Sequence, residues 1–180
     1  MMTDQDEELA AAAATGDRAA FAALLSRHYD RLFAFTYRLT VNRADAEDLT
    51  QDICAALPAK LAGFRADARF TTWLYRVAVN AAHDRRRRAA TRAKAADGWG
   101  DWEVNRREAI REETEAQDWL TQAMTALPDE LRDTVALVLG EDLTQAQAGE
   151  VLGLSEGTVA WRMSEVKKRL RAMRAEEDAI

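Results

Sequence analysis

A chain of 180 residues, 48% hydrophobic and 31% charged, holds enough apolar content for one medium core or two small ones, which excludes a compositionally disordered protein. A single cysteine, Cys54, and two distant histidines exclude a disulfide framework and a Cys/His zinc site, and make reducing cytosol the natural compartment. The formal net charge of −6, taken alone, speaks against nucleic acid, whose binding is driven by counterion release from lysine and arginine contacts.

Residues 1–16 read as an acidic tail. The opening Met1-Met2-Thr3-Asp4-Gln5-Asp6-Glu7-Glu8 is acidic where a secretory signal is basic, and the alanines that follow are too few and too weakly apolar for a signal core. No stretch approaches the roughly 20 apolar residues that span a bilayer, so a cytoplasmic protein without membrane insertion is expected.

Residues 17–88 read as a first helical domain. Phe21, Leu24, Leu25, Tyr29 and Leu32, then Leu49, Ile53, Leu57 and Leu61, recur at helical spacing. Asn42-Arg43-Ala44-Asp45 looks like a turn and helix start, and Gly63 precedes a short loop, Phe64-Arg65-Ala66-Asp67-Ala68-Arg69. A long helix then begins near Phe70 or Thr71 and runs into Arg85-Arg86-Arg87-Arg88. Residues 89–113 lose periodicity around Gly98-Trp99-Gly100 and read as a linker, though Trp99 and Trp102 are expected to dock on the chain or on a partner.

Residues 114–175 read as a second helical domain, followed by a short tail over 176–180. A helix through Leu120 and Leu127 gives way at Pro128-Asp129-Glu130 to one through Leu131, Val135, Leu137 and Val138, which Gly140 closes. Thr144-Gln145-Ala146-Gln147 is a capping box that starts a helix through Ala148, Val151 and Leu152. Gly153 stops it and Ser155 caps the next. Small Ala148 and Gly149 suit the crossing of two steeply angled helices, the arrangement of a DNA-binding helix-turn-helix. On the last helix Val159, Met163, Val166, Leu170 and Met173 form one apolar stripe, with Gly157, Trp161, Ser164, Glu165 and Lys168 opposite. The plainer reading is a helical hairpin of a bundle, but cap, Gly-Leu-Ser turn and the basic exit of Lys167, Lys168, Arg169, Arg171 and Arg174 coincide here. The expected fold is therefore all-α, two small helical domains joined by a linker.

Leu127-Pro128-Asp129-Glu130, Leu143-Thr144-Gln145 and Leu152-Gly153-Leu154-Ser155-Glu156-Gly157-Thr158-Val159 resemble region four of bacterial extracytoplasmic-function (ECF) sigma factors. Ala46-Glu47-Asp48-Leu49-Thr50-Gln51-Asp52 and the segment from Phe64 through Phe70-Thr71-Thr72-Trp73-Leu74 resemble region two of the same family, in family order. The resemblance implies a sigma factor that binds core RNA polymerase, through its beta-prime and beta subunits, and directs promoter-specific initiation. It implies promoter DNA and an anti-sigma protein as further partners, a monomer when free, and no cofactor, metal or catalytic site.

By the same resemblance Asp45, Asp48, Gln51 and Asp52 would grip the polymerase; the three aspartates line one helix face and have no evident partner within the chain. Phe64, Arg65, Asp67, Arg69, Trp73, Arg76 and Asn80 would read the melted minus-ten element, and Arg85, Arg86, Arg87 and Arg88 would hold duplex phosphate. Phe70, Trp73, Leu74 and Val77 could equally be core, the favoured reading for Phe70 and Leu74. Ser155, Glu156, Thr158, Trp161, Arg162, Ser164, Glu165 and Lys168 would face the minus-thirty-five element. Here Trp161 and Glu165 depart from the family pattern, which has a small polar residue and an arginine at those places. A regulator that binds duplex DNA without replacing the sigma subunit is the alternative, but it would need only the second domain. An enzyme is disfavoured, because neither His28 nor His83 has a sequence-near nucleophile or metal-ligand pattern and no glycine-rich phosphate loop occurs.

Overall fold

The computed structural model describes residues 2–65, 67–95 and 119–177. Among them all regular structure is helical: α1 (Met2–Ala14), α2 (Arg18–Thr40), α3 (Arg43–Leu61), α4 (Phe70–Ala95), α5 (Trp119–Ala126), α6 (Asp129–Val135), α7 (Gln145–Leu152) and α8 (Glu156–Glu177). The last turn of α6 widens into a π-helix over Ala136–Gly140. Trp99 and Trp102, and the docking expected of them, lie outside the described residues.

Local chemistry sets the helix ends. Asp17 caps α2 by accepting from the amides of Ala19 and Ala20 at 2.8 and 3.0 Å. Asn42 caps α3 through the Asp45 amide at 2.9 Å. Between those helices Val41 adopts a left-handed φ of 53°, costly for a β-branched residue. Its side chain packs against the core of the second half.

Two sequence expectations are corrected. The opening stretch is not a tail: it forms α1, with Ala10 and Ala13 buried against α2, α3 and α4. The stretch from Ala89, assigned to the linker, continues α4 as far as Ala95.

In the first half α2, α3 and α4 contribute Leu32, Phe35, Leu39, Leu49, Ile53, Leu61, Tyr75 and Val79, each exposed by 1% or less. Full burial of an aliphatic or aromatic side chain of this size stabilises by about 1.5–3 kcal/mol, so this stripe dominates the stability of the first half. Inside it the hydroxyls of Thr36 and Thr50 meet at 2.7 Å, with Thr50 also donating to the Ala46 carbonyl, so no polar atom is stranded at the α2–α3 crossing. Phe70 and Leu74 are core, as favoured from the sequence.

The second half packs Met124, Leu127, Leu131 and Val135 against Met163 and Val166 of α8. It is not a separate body. Ala136, Leu137, Ala148, Val151 and Val159 join the same buried cluster as Leu32, Phe35 and Tyr75. The contacts run from α7 to α4 and from α6 and its π turn to α2.

Candidate nucleic-acid interface

The helix-turn-helix forms as its sequence requires. The Thr144 hydroxyl accepts from the Gln147 amide at 3.2 Å while the Gln147 side chain accepts from the Thr144 amide at 2.9 Å. At the turn a Cβ on Gly149 would lie 2.6 Å from the Leu154 carbonyl oxygen, so only glycine lets the chain fold back this tightly. Ser155 then accepts from the Thr158 amide and opens α8. Val159, Met163 and Val166 are buried, which turns Ser155, Glu156, Trp161, Ser164 and Lys168 toward solvent. Trp161 is 64% exposed, an unusual position for an indole. Arg162 instead folds back to Glu130 at 3.3 Å, and Glu165 pairs with Arg169 at 3.2 Å.

In the first half, Arg65, Asp67 and Arg69 are all exposed between α3 and α4. Phe64, Phe70 and Trp73 form one aromatic cluster, with centroid separations of 5.4 to 6.0 Å. Phe64 and Trp73 are half-buried in it. The structure thus brings together the loop residues and Trp73. Arg76 and Asn80 continue along α4, and Arg76 donates to the Glu150 carbonyl of α7 at 2.7 Å.

The acidic face of α3 differs from expectation in one respect: it does have a partner inside the chain. Arg85 of α4 pairs with Asp45 at 2.8 Å and reaches Asp48 at 3.4 Å, because α3 and α4 run side by side at that point. Gln51 and Asp52 stay exposed. Beside them an open groove of about 520 Å³ has Leu49, Ile53 and Val77 as its floor, and Asp52, Asn80, Arg85 and Arg88 on its rim. Arg87 pairs with Asp84 at 2.9 Å on the exposed side of α4. Two residue sets that the sequence kept apart, α3 acids and α4 arginines, therefore share one surface.

The remaining contacts join the halves through two buried carboxylates. Glu141, delivered by the π turn and 2% exposed at its side chain, binds Arg38 at 2.6 Å and Arg31 at 2.7 Å, and accepts from the Tyr75 hydroxyl. Burial, reinforced by the bond to the Glu141 carboxylate, pushes the Tyr75 hydroxyl far above its ordinary range and keeps it a donor. Arg38 passes over Gly140, where a Cβ would meet its Cδ at 2.7 Å. Asp133, 1% exposed, takes a two-pronged contact from Arg86, both bonds at 2.8 Å, and a third bond from His83 at 2.9 Å. Burial alone would raise the Asp133 pKa, but these donors overcome it and hold the carboxyl below its usual value. Arg86, expected on duplex phosphate, is thus filled by a carboxylate of the other half. Sequence reasoning missed Asp133 and Glu141, because their partners lie 47 to 110 residues away and α6 carries other charged residues beside Asp133.

Residues 24–92 match the family model for Sigma-70 region 2, and residues 123–172 that for Sigma-70, region 4. The chain is 34% identical over 165 residues to the ECF RNA polymerase sigma factor SigM of Mycobacterium tuberculosis, covering 92% of this chain and 82% of that one. Among solved structures it is similar to CnrH in complex with the cytosolic domain of CnrY, with a TM-score of 0.70, 27% identity and coverage of 96% and 98%. It shares the fold of the sigma factor RpoE in complex with the anti-sigma factor NepR from Bartonella quintana, with a TM-score of 0.70 at 22% identity, covering 86% of this chain and 96% of that one.

Proposed function

This chain belongs to the ECF RNA polymerase sigma factors, and from that premise we propose that it binds core RNA polymerase and directs it to promoters carrying its own minus-ten and minus-thirty-five elements. The observation that carries this reading is the joint presence, in one chain and in family order, of an exposed loop with an aromatic buttress and a helix-turn-helix with an outward recognition helix. A duplex-binding regulator would use only the second of these.

Each surface has chemistry suited to its part. Gln51 and Asp52, with Asp48 beside them, offer polymerase an acidic face on α3. Arg65, Asp67 and Arg69 offer hydrogen-bonding groups to an unstacked base and its backbone, with Trp73 close by for stacking. The first turns of α8 enter the major groove, where Trp161 faces base edges and Lys168 approaches phosphate. By likeness to RpoE, which is held by an anti-sigma factor, a protein inhibitor is expected to bind this chain. The place of action is the cytoplasm, where polymerase and promoter meet; no helix among the described residues is long and apolar enough to cross a membrane.

Reconstitution with bacterial core polymerase and sequencing of transcript 5′ ends tests the reading. Start sites sharing a pair of upstream elements are expected; initiation indistinguishable from that of core alone overturns it. The polymerase contact is tested by Asp52→Lys, which leaves the Arg85 pairs intact and is expected to abolish core retention in a pull-down at unchanged helicity.

A further inference from the structure

We propose that Glu7 of α1, outside both matched regions, is a positioning residue for the minus-ten reader: it fixes the first turn of α4 and thereby the loop that precedes it. This rests on reading Arg65, Asp67 and Arg69 as the base-capturing segment.

The first amides of a helix lack intrahelical partners and ordinarily take a side-chain oxygen from the residue before them. At α4 that residue is Arg69, whose carbonyl accepts from the Trp73 amide at 3.1 Å. An arginine side chain has only donors and cannot cap. The oxygen comes instead from 63 residues upstream: Glu7 accepts from the Phe70 amide at 3.0 Å. Phe70 is 2% exposed, which leaves water little access to replace that bond. A carboxylate at the positive end of a helix adds a favourable field. The other oxygen, Oε2, is buried and meets no donor among the described residues, so no ion pair holds the side chain in place. Its task is the helix end.

The helix that carries Glu7 is itself anchored. Next to it Asp6, 8% exposed, binds Arg27 at 3.1 Å and His28 at 2.9 Å. The His28 ring then lies 5.1 Å from that of Phe70, which contacts Phe64 and Trp73. Backbone and ring of Phe70 are thus both held from α1 and α2. Phe64 and Phe70 bracket the loop, so this double grip sets the distance its exposed residues must span. A loop whose ends are held in advance has less to order when it captures a base.

The test is transcription by reconstituted holoenzyme from promoter libraries randomised in the minus-ten or the minus-thirty-five element, using wild type, Glu7→Ala and Glu7→Gln. Loss of a cap lowers helix stability by about 1 kcal/mol, which corresponds to at most about a fivefold weaker preference at the base read by the loop. Glu7→Ala is expected to show that loss with the minus-thirty-five preference unchanged. Glu7→Gln, whose amide oxygen still accepts, restores it. Only folded, polymerase-bound molecules yield transcripts, so partial unfolding lowers yield and not preference. A wild-type minus-ten preference in Glu7→Ala overturns the proposal, as does a switch to a different base in Glu7→Gln, which marks direct contact. An Asp67→Ala control separates the two claims: a minus-ten preference that ignores it defeats the loop reading itself.

Discussion

Asp133 is held by three charged or polar bonds at 1% exposure, and that combination fixes its behaviour with pH. Its folded pKa lies below the unfolded value of about 3.9. A depressed carboxyl contributes stability that is fully present above the unfolded pKa and is lost as pH falls through the folded one. Asp133→Asn should therefore lower the melting temperature at neutral pH, and the gap to wild type should close on acidification below about pH 4. Asp133→Ala strands Arg86 with only the Leu39 carbonyl and a 3.6 Å contact to Asp129, and should cost about 3 kcal/mol, the low end for one partner of a buried pair. A gap that persists unchanged into acid assigns the loss to packing. Trp161 behaves oppositely: at 64% exposure it contributes little to stability, so Trp161→Ser should leave melting unchanged. An indole offers one donor and a broad apolar face, which suits a thymine methyl and cannot form the two-pronged contact that selects guanine. The expected outcome in a promoter library is loss of a thymine preference at a single minus-thirty-five position; identical preferences remove Trp161 from the groove.

Elements were legible from the sequence where their signals are local. The capping box at Thr144, the stop at Gly153 and the stripe from Val159 to Val166 are short-range rules, and each appears as read. The small-residue crossing was legible too, and it makes a sharp prediction. Gly149→Ala forces its Cβ toward the Leu154 carbonyl from 2.6 Å, a clash with backbone that no rotamer relieves. Overpacking of this kind costs about 1–3 kcal/mol. Because the strain falls on the α7–α8 turn, minus-thirty-five preference in the library assay should weaken while core retention stays at wild type; unchanged preference shows that the turn can shift without cost. Helix α1 was not legible, for a physical reason. Its alanines and acids give no apolar periodicity, and its position depends on Asp6 and Glu7 meeting groups 21 to 63 residues away.

At the scale of the whole molecule the arrangement of the two halves is what the sequence withheld, since it rests on contacts such as Arg31–Glu141, 110 residues apart. In the closed arrangement Arg86 and Arg76, two expected nucleic-acid contacts, are occupied by Asp133 and by the Glu150 carbonyl. The pairing is conditional on charge, which gives a way to open it. Glu141→Lys would set a third cation against Arg31 and Arg38 at a place only 2% exposed, and the Tyr75 hydroxyl would lose its acceptor. Like charges brought together in a desolvated site repel far more strongly than on a surface. On parting, the first half keeps Leu32 to Val79 and the second keeps Met124 to Val166, while Ala136, Leu137, Ala148, Val151 and Val159 lose the cluster they share with the first. The expected outcome is separation without unfolding: helicity unchanged, and a radius of gyration by small-angle scattering above the wild-type value. Freed Arg86, expected on duplex phosphate, should then bind it, so the slope of log affinity against log salt steepens by about 0.9, the value for one phosphate newly neutralised. Helicity lost together with compactness would instead make Glu141 part of a single folding unit. A larger radius with an unchanged salt slope would show that Arg86 does not reach DNA even when the halves part.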